Sequence, residues 1–379
     1  MSKRKLTDIC SIQYGCAFDA SQFTTLPEEG MPLIRIRDVK DGCTNTYYKG
    51  DYSDEYIIHK GDYLVGMDGE FNIEPWQSED ALLNQRVCKI ESKSEDVLMR
   101  YIYRFLKKEL KRIEDDTPFV TVKHLSAKRL NQVLISVPPL PEQEKIVSEL
   151  DCLSGIIEKK RQQLKELDAL AQSIFYEMFG DPVGNEKGWE VERLGNKADI
   201  SSSKRIFANE YTDSGIPFYR GKEVTEKSKG NPLSIELYIS QERYDEIKSN
   251  YGVPEIGDIL ITAVGTIGNI WIVDTDEPFY FKDGNVLWLK VKDNTNPVYF
   301  KYILTILINE YKAMMANGCA YSALTIVNLK EMPTCVTPLP LQQSFAQKIE
   351  AIEQQKALIK QSIAEVETLF NARMQEYFE

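Results

Sequence analysis

The most constraining feature of this sequence of 379 residues is that its second half repeats the plan of its first half. The segment PLPEQ at 139–143 returns as PLPLQ at 338–342, an offset of 199 residues. Upstream, GMPLIR at 30–35 corresponds to GIPFYR at 215–220, and GDYLV at 61–65 corresponds to GDILI at 257–261. The chain is therefore a tandem duplication, with each repeat roughly 190 residues long, which is the size of a structural domain.

Each repeat has a globular part followed by a helical part. Residues 1–140 and 183–338 mix short apolar runs with Gly, Pro, Asn and Asp and end in a helix-like stretch, a pattern that predicts an α+β domain. Residues 141–182 form a central helix and linker, and residues 339–379 form a C-terminal helix. In both helical parts, apolar residues recur at steps of four and three over more than four heptads, which is typical of a coiled coil.

We expect the two long helices to pack side by side. A helix of about 38 residues spans about 57 Å, which is too long to lie inside either globular part. The predicted fold is α+β, with two tandem pseudo-symmetric domains joined by two long antiparallel coiled-coil helices. The alternative is that each helix packs only on its own domain. The predicted helix–helix and partner contacts are Ile146, Leu150, Leu153, Ile157, Leu164, Leu167, Ile349, Ile352, Ile359 and Ile363.

The composition limits where and how the chain works. It contains 46 Lys and Arg against 58 Asp and Glu, a net charge of -12, which argues against binding DNA or a membrane by bulk positive charge. The 7 cysteines form no CxxC pairs, which favours a reducing cytoplasm. No apolar run is long enough to cross a bilayer, so we expect no membrane association.

Enzymatic motifs do not occur. The sequence has no GxxxxGK[ST] phosphate loop, no GxSxG elbow, no HExxH and no methyltransferase loop of the Asn/Asp-Pro-Pro-aromatic or Pro-Cys kind. The two histidines, His59 and His124, are expected to make surface polar contacts. We therefore expect a chain that catalyses nothing alone and holds no metal.

Two glycine pairs and two aspartates could suggest a phosphate site or a catalytic site. Residues 66–69 and 265–268 are better explained as hairpin turns, because a strand-like segment follows each of them. Asp62 and Asp258 occupy matching Gly-Asp-hydrophobic positions and are expected to form turns.

Local basic residues offer candidate DNA contacts. Strand alternation would place Arg35 and Arg37 on one side of a short strand, and Arg220 and Lys222 likewise in the second repeat. Arginine forks suit guanine or phosphate. The alternative is strand-edge charges that only confer solubility.

A second basic segment lies between residues 100 and 129, where 9 basic residues face 4 acidic ones. Arg104, Lys108 and Lys123 are its candidate DNA contacts, since several of its charges fall on one helical face. A solvated helix face is the alternative.

Several segments together carry a resemblance to a known family. PPLPEQEKIV at 138–147 enters the central helix, FYEMFGDP at 175–182 leaves it, and GWEVERL at 188–194 opens the second domain. In this order, and with the duplication, they resemble the specificity subunit of type I restriction-modification enzymes. LLNQRV at 82–87 is similar to a recurrent segment of that family, which adds Asn84, Gln85 and Arg86 to the candidate DNA-binding residues. The second repeat has DGNV at 283–286 instead, as expected if the two domains read different sequences.

The resemblance implies a mechanism. Each domain would read one half of a bipartite double-stranded DNA target, and the helix pair would set the spacer and dock two modification subunits. Those subunits would bring S-adenosylmethionine, and a restriction subunit would use ATP and Mg²⁺, so this chain would need no cofactor. Two alternatives belong to other classes: a bivalent protein scaffold with two α+β heads on a coiled-coil spacer, and a self-sufficient methyltransferase.

Overall fold

The structure, a computed structural model, describes residues 3–118, 123–316 and 323–379. The chain forms two compact units. Unit 1 comprises Met1–Gln162 with Lys360–Glu379, and unit 2 comprises Gln163–Ile359. Each unit therefore contains one globular part together with a segment of each long helix. Within the described ranges, no helix is both long and apolar enough to cross a membrane.

The globular part of unit 1 alternates short strands with four helices. In chain order the elements are β1 Lys3–Lys5, α1 Leu6–Ile9, β2 Cys10–Tyr14, β3 Phe23–Thr24, β4 Met31–Ile34, α2 Asp38–Asp41, β5 Tyr47–Tyr48, β6 Ile57–Ile58, β7 Tyr63–Gly66, β8 Asn72–Pro75, β9 Ala81–Leu83, β10 Val87–Ser92, α3 Met99–Asp115, α4 Ala127–Asn131 and β11 Leu134–Ser136.

A four-stranded sheet is the centre of unit 1. Its strand order is β2-β10-β7-β8, all antiparallel, and a five-stranded sheet follows the order β3-β5-β4-β9-β6. Side-chain alternation on β7 sends Val65 into the apolar cluster formed with α3, and Leu64 into a second cluster with Ile34 and Trp76. Because both faces of this sheet are buried, the loops at its ends are the parts left free to contact a ligand.

Unit 2 repeats this plan with local differences. Its globular elements are β12 Glu190–Arg193, β13 Ala198–Ser202, β14 Tyr211–Thr212, β15 Ile216–Tyr219, α6 Gly221–Lys229, β16 Tyr238–Ile239, α7 Gln241–Tyr251, β17 Ile259–Thr262, β18 Ile270–Ile272, β19 Tyr280–Phe281, β20 Val286–Val291, α8 Pro297–Ala316, α9 Ile326–Glu331 and β21 Pro333–Val336. The sheet β13-β20-β17-β18 corresponds to β2-β10-β7-β8. Helix α6 has 9 residues where α2 has 4, and α7 occupies the place in the chain order that β6 has in unit 1.

The long helices are α5, Leu140–Phe179, and α10, Leu339–Phe378, each 40 residues long. In unit 1, Glu149 near the start of α5 accepts a 2.6 Å hydrogen bond from the hydroxyl of Tyr377 at the end of α10. Further along α5, Arg161 pairs with an earlier α10 residue, Glu367, at 2.7 Å. The two helices therefore run antiparallel in unit 1.

The same direction holds in unit 2. Asp168 pairs with Lys356 at 2.7 Å, and Phe175 packs on Phe345 with ring centroids 5.6 Å apart. The predicted antiparallel pair is confirmed, and the alternative in which each helix packs only on its own domain is wrong.

Burial along the helix pair is uneven. Six of the predicted contacts are buried: Ile146, Leu150, Leu153, Ile157, Ile349 and Ile352. The other four are only half-buried: Leu164, Leu167, Ile359 and Ile363. Four of the buried six, Ile146, Leu150, Ile349 and Ile352, belong to the core cluster of a unit, so domain packing supplies much of their burial.

The glycine pairs and the two aspartates form turns, as predicted. Residues 66–69 connect β7 to β8 and residues 265–268 connect β17 to β18, both antiparallel hairpins. Asp62 accepts a hydrogen bond from the His59 backbone N–H at 2.8 Å, and Asp258 accepts one from the Glu255 backbone N–H at 3.0 Å.

The repeated PLP segment places a buried glutamine at the start of each long helix. Gln143, with no exposed surface, donates to the carbonyls of Asp96 and Pro138 at 2.8 and 2.7 Å and accepts from the N–H of Leu98 at 2.9 Å. Gln342 likewise donates to the Thr337 carbonyl and accepts from the Asn296 N–H. Each glutamine thus joins the long helix to the turn that begins α3 or α8.

We predict that Gln143→Leu destabilises unit 1 by about 2–4 kcal/mol, because three backbone groups lose their hydrogen-bond partner in a buried site. The measurement is the thermal unfolding midpoint. Glu142→Leu is the matched control, because Glu142 is exposed and Leu341 occupies the equivalent position in the second repeat. An unchanged midpoint for Gln143→Leu would show that the hydrogen bonds of Gln143 do not stabilise unit 1.

Candidate nucleic-acid interface

The turns that follow β4 and β15 carry the first candidate cations, and the sequence-based placement of these residues in a strand is wrong. β4 ends at Ile34, and Arg37 is the residue before α2. The Asp38 carboxylate accepts a 2.8 Å hydrogen bond from the Arg35 N–H. This buried carboxylate closes the turn between β4 and α2, so Arg35 and Arg37 lie in that turn rather than on one side of a sheet.

In unit 2 the same correction applies to Arg220 and Lys222. Arg220 precedes α6, and Glu223 accepts from its backbone N–H at 2.8 Å. The Arg220 guanidinium also bonds Glu223 at 2.7 Å and Glu236 at 2.8 Å, and Lys222 bonds Glu236 at 2.6 Å. These two cations hold the pKa of Glu236 at about 2, with Lys222 the larger cause.

The two turns therefore differ in available charge. Arg35 is exposed and forms no ion pair with any carboxylate of residues 3–118, 123–316 and 323–379. The Arg37 side chain is 70% exposed, with only a 3.6 Å approach of its Nε to Asp38. Arg220, by contrast, is half-buried between two carboxylates. DNA binding by Arg35 and Arg37 stays a prediction, but their guanidinium groups are exposed, whereas that of Arg220 is already paired within its own unit.

The loop of the β7–β8 hairpin is central to this surface of unit 1. Helix α2 packs beside β7 and β8, and its Lys40 pairs with Glu70 of the loop at 3.1 Å. Asp68, also in the loop, contacts Arg86 at 3.4 Å (Nε to Oδ2) and His124 at 2.5 Å (Nδ1 to Oδ1). The loop thus lies between the turn after β4 and the turn before β10.

The turn 84–86 contains three predicted DNA contacts with different roles. Asn84 is 9% exposed, and its side-chain oxygen accepts from the Gln85 N–H at 2.8 Å, so it shapes the turn. Gln85 and Arg86 are exposed. Arg86 has a left-handed backbone with φ of 72°, which is uncommon for a residue other than glycine.

The cations on α3 do not form an open strip. Arg104, with a side chain 12% exposed, bonds Asp151 and, at 2.8 Å, Ser154 of α5. Lys108 donates to the Met374 carbonyl at 3.3 Å and pairs with Glu379 at 3.4 Å. A DNA-binding role for Arg104 and Lys108 stays a prediction, but their contacts join α3 to the two long helices.

Asp68 and His124 belong to this surface, but they were not identified from the sequence as part of it. His124 was expected to make surface polar contacts, which is confirmed, but its partner Asp68 lies 56 residues away in the chain. Lys123, adjacent to His124, donates to the Glu114 carbonyl at 2.6 Å. In the sequence, the pair can be noticed only by aligning the repeats. The positions that match Asp68 and His124 in the second repeat hold the uncharged Val264 and Ala323.

The long helices carry exposed apolar side chains. They include Ile156 and Leu369 in unit 1, which are 36% and 46% exposed, and Leu170 and Leu358 in unit 2, which are 47% and 68% exposed. Large apolar residues on a helix surface are typical of a protein-binding site when they are grouped.

Comparison with known proteins gives the class of this protein. The family model for the type I restriction modification DNA specificity domain matches residues 1–168 and 186–368. The specificity subunit of the type I restriction enzyme EcoBI from Escherichia coli is 29% identical over 377 residues, covering 92% of this chain and 78% of that protein. A putative type I specificity subunit of Haemophilus influenzae is 28% identical, covering 81% and 80%.

A solved structure has the same fold. The S subunit of a type I restriction-modification system from M. genitalium matches with a TM-score of 0.56 at 16% identity, over 100% of this chain and 96% of that one. Since the family model covers both repeats, the chain belongs to the family of type I restriction-modification DNA specificity subunits.

We predict that Arg104→Met lowers the stability of unit 1 by about 1–3 kcal/mol, because Asp151 then keeps only the exposed Arg100 as an ionic partner and Ser154 loses its bond to the Arg104 guanidinium. Lys128→Met is the control, since Lys128 is exposed on α4. The readouts are the thermal midpoint and the DNA affinity of the assembled complex. Loss of DNA affinity at an unchanged midpoint would show that Arg104 binds DNA instead.

Proposed function

We propose that this chain is the DNA-recognition subunit of a type I restriction-modification complex, in which each unit reads one half of a bipartite double-stranded target. The supporting observation is the duplicated surface: each unit has a hairpin loop flanked by a helix that follows a strand and by the turn before the next long strand. The family match over both repeats supports a DNA-specificity role for the chain and gives the protein-scaffold alternative no support.

The two half-sites are proposed to differ. The β4–β9 and β15–β19 pairs have equivalent registers, with Leu83 opposite Ile34 and Phe281 opposite Tyr219. From these points to Val87 and Val286 the connecting segment is one residue longer in unit 2. Segments of different length and side chains present different donors and acceptors to the bases, which is the basis of direct readout.

The helix pair is proposed to set the spacer and to dock two modification subunits, which would carry S-adenosylmethionine. Restriction subunits using ATP and Mg²⁺ would complete a cytoplasmic complex. The exposed leucines of α5 and α10 support docking. The charge distribution also supports it, because residues 141–182 hold 9 acidic against 5 basic residues, a surface poorly suited to DNA.

The direct test co-expresses the chain with candidate modification subunits and measures DNA binding at several salt concentrations. Charge-mediated contacts to phosphates make affinity fall steeply with salt, while base contacts make it depend on sequence. Binding that is salt-sensitive and sequence-dependent is expected. Absence of both in the assembled complex would overturn the proposal.

We predict that Leu358→Asp weakens assembly with the modification subunits by at least about tenfold, because a charge replaces apolar surface that the partner would bury. The measurement is the dissociation constant of the subunits. Leu26→Asp is the control, since Leu26 is similarly apolar and exposed but lies outside the helices. Equal affinities for the two variants would exclude this docking surface.

We also predict that a heptad inserted into both long helices lengthens the spacer by about three base pairs, since seven helical residues add about 10.5 Å and each base pair occupies about 3.4 Å. The insertions belong between Arg161 and Asp168 in α5 and between Lys356 and Glu367 in α10, so that the flanking ion pairs are kept. The measurement is the preferred spacer in a library of targets.

Replacing residues 162–167 of α5 and 357–366 of α10 by other helix-forming residues of the same number is the control for the insertion, and it should leave the spacer unchanged. An unaltered spacer in the insertion variant would contradict the idea that the helices determine the distance between half-sites.

A further inference from the structure

We propose that Arg86 reads a guanine in the half-site of unit 1, and that Asp68 and His124 position its guanidinium. This inference rests on the proposed function and adds to it the base, the residue that contacts the base and the residues that orient it. These three residues are called the Asp68 cluster below.

The backbone of Arg86 is held in an unusual conformation by its surroundings. Among the described residues other than glycine, only Arg86 and Asn185 have a positive φ. The Arg86 carbonyl accepts from the Met67 N–H at 2.9 Å, and the Gln85 N–H donates to the Cys16 carbonyl at 2.7 Å. Such strained positions are concentrated at functional sites, where neighbouring contacts fix them.

The contacts of the side chain leave part of the guanidinium available. Arg86 Nε faces the Asp68 carboxylate at 3.4 Å, and Nη1 lies 3.5 Å from the His124 ring. Within the part of the chain that the structure describes, Nη2 has no hydrogen-bond partner. The side chain is 54% exposed while that of Asp68 is 26% exposed, so the carboxylate lies deeper than the group it orients.

Unit 2 shows that the Asp68 cluster is not required by the fold. The Ala263 N–H donates to the Asn285 carbonyl at 2.8 Å, as Met67 does to Arg86, and the Leu324 N–H donates to the Ala263 carbonyl, as Leu125 does to Met67. These shared hydrogen bonds align Val264, Asn285 and Ala323 with Asp68, Arg86 and His124. The same two backbone hydrogen bonds thus form with three uncharged side chains, although the left-handed residue of the unit 2 turn is Gly284 rather than Asn285. The charges of unit 1 are therefore left to be explained by specificity.

The chemistry favours a base over a phosphate. An arginine beside a carboxylate is a weak phosphate anchor, because the carboxylate cancels much of its charge and is itself repelled by phosphate. Its remaining N–H groups still match two neighbouring acceptors. In the major groove guanine offers N7 and O6 together, whereas adenine pairs an acceptor with a donor.

The test uses the complex with its modification subunits and duplexes in which 7-deazaguanine, which lacks the N7 acceptor, replaces each guanine in turn. The native complex is expected to lose about 10-fold or more in affinity at one guanine of one half-site, the range expected for a bidentate contact. In Arg86→Ala that position should become indifferent to the replacement, while every position of the other half-site keeps its effect.

Further variants separate positioning from folding. Arg86→Lys keeps the charge without the fork, so it should retain binding but lose discrimination at the same guanine. Asp68→Asn and His124→Gln should reduce discrimination at that guanine alone. Arg112→Ala is the matched control, because Arg112 is also exposed and paired with carboxylates, on α3, and it should change no base preference.

The outcomes are distinguishable. If the native complex binds specifically and Arg86→Ala keeps every base preference, the inference is wrong and the proposed function stands. A uniform loss across both half-sites with a lowered thermal midpoint in Arg86→Ala, together with unchanged discrimination in Arg86→Lys, would also overturn it. If the native complex shows no sequence-dependent binding, the proposed function itself fails.

Discussion

The structure depends on the burial of the end of each long helix in the core of a unit built mainly from the other repeat. Phe175 and Phe179 of α5 pack with Tyr299 and Phe345 in unit 2, and Met374 of α10 is buried in the core of unit 1. Burying one large apolar side chain contributes about 1.5–3 kcal/mol, so several such residues make each unit dependent on both helices. Each unit therefore includes residues of both repeats in its core.

This arrangement separates the residues that maintain the fold from those that can vary. Gln143 and Gln342 connect each long helix to its domain helix, and the sheet of each unit is buried on both faces. The hairpin loops and the turns beside them contain few residues that maintain the fold. Their sequences can therefore change from one repeat to the other. The Asp68 cluster of unit 1, for example, is replaced in unit 2 by the uncharged Val264, Asn285 and Ala323.

Much of the architecture could be predicted because it rests on periodic patterns. The heptads of α5 and α10 predict the helix pair, and the repeated segments, which occur in the same order in both halves, predict the duplicated units. The position of individual cations could not be predicted in the same way. Alternation in a strand predicted that Arg35 and Arg37 lie on one face. In the structure β4 ends at Ile34, and the buried Asp38 carboxylate holds the Arg35 N–H in the turn that follows. The charge of Asp38 gave no indication that it would be buried.

The α3 cations show a second limit. Helical spacing correctly groups Arg104 with Lys108 on one face of α3, but it does not reveal whether that face contacts solvent or another helix in the folded unit. The answer depends on Asp151 and Glu379, which are distant in sequence. The contact between Asp68 and His124 is equally non-local. Long-range pairing of side chains is thus the part of the site that only the folded structure provides.

We propose that this one chain gives a methyltransferase complex a two-part DNA target. The most direct measurement is a map of methylated adenines across the genome of the host, with the gene intact and with it deleted. The account predicts one bipartite motif, two different short half-sites around a spacer of fixed length, that is methylated only when the gene is present. A methylation pattern that does not change on deletion, or a lost motif that is short and uninterrupted, would contradict it.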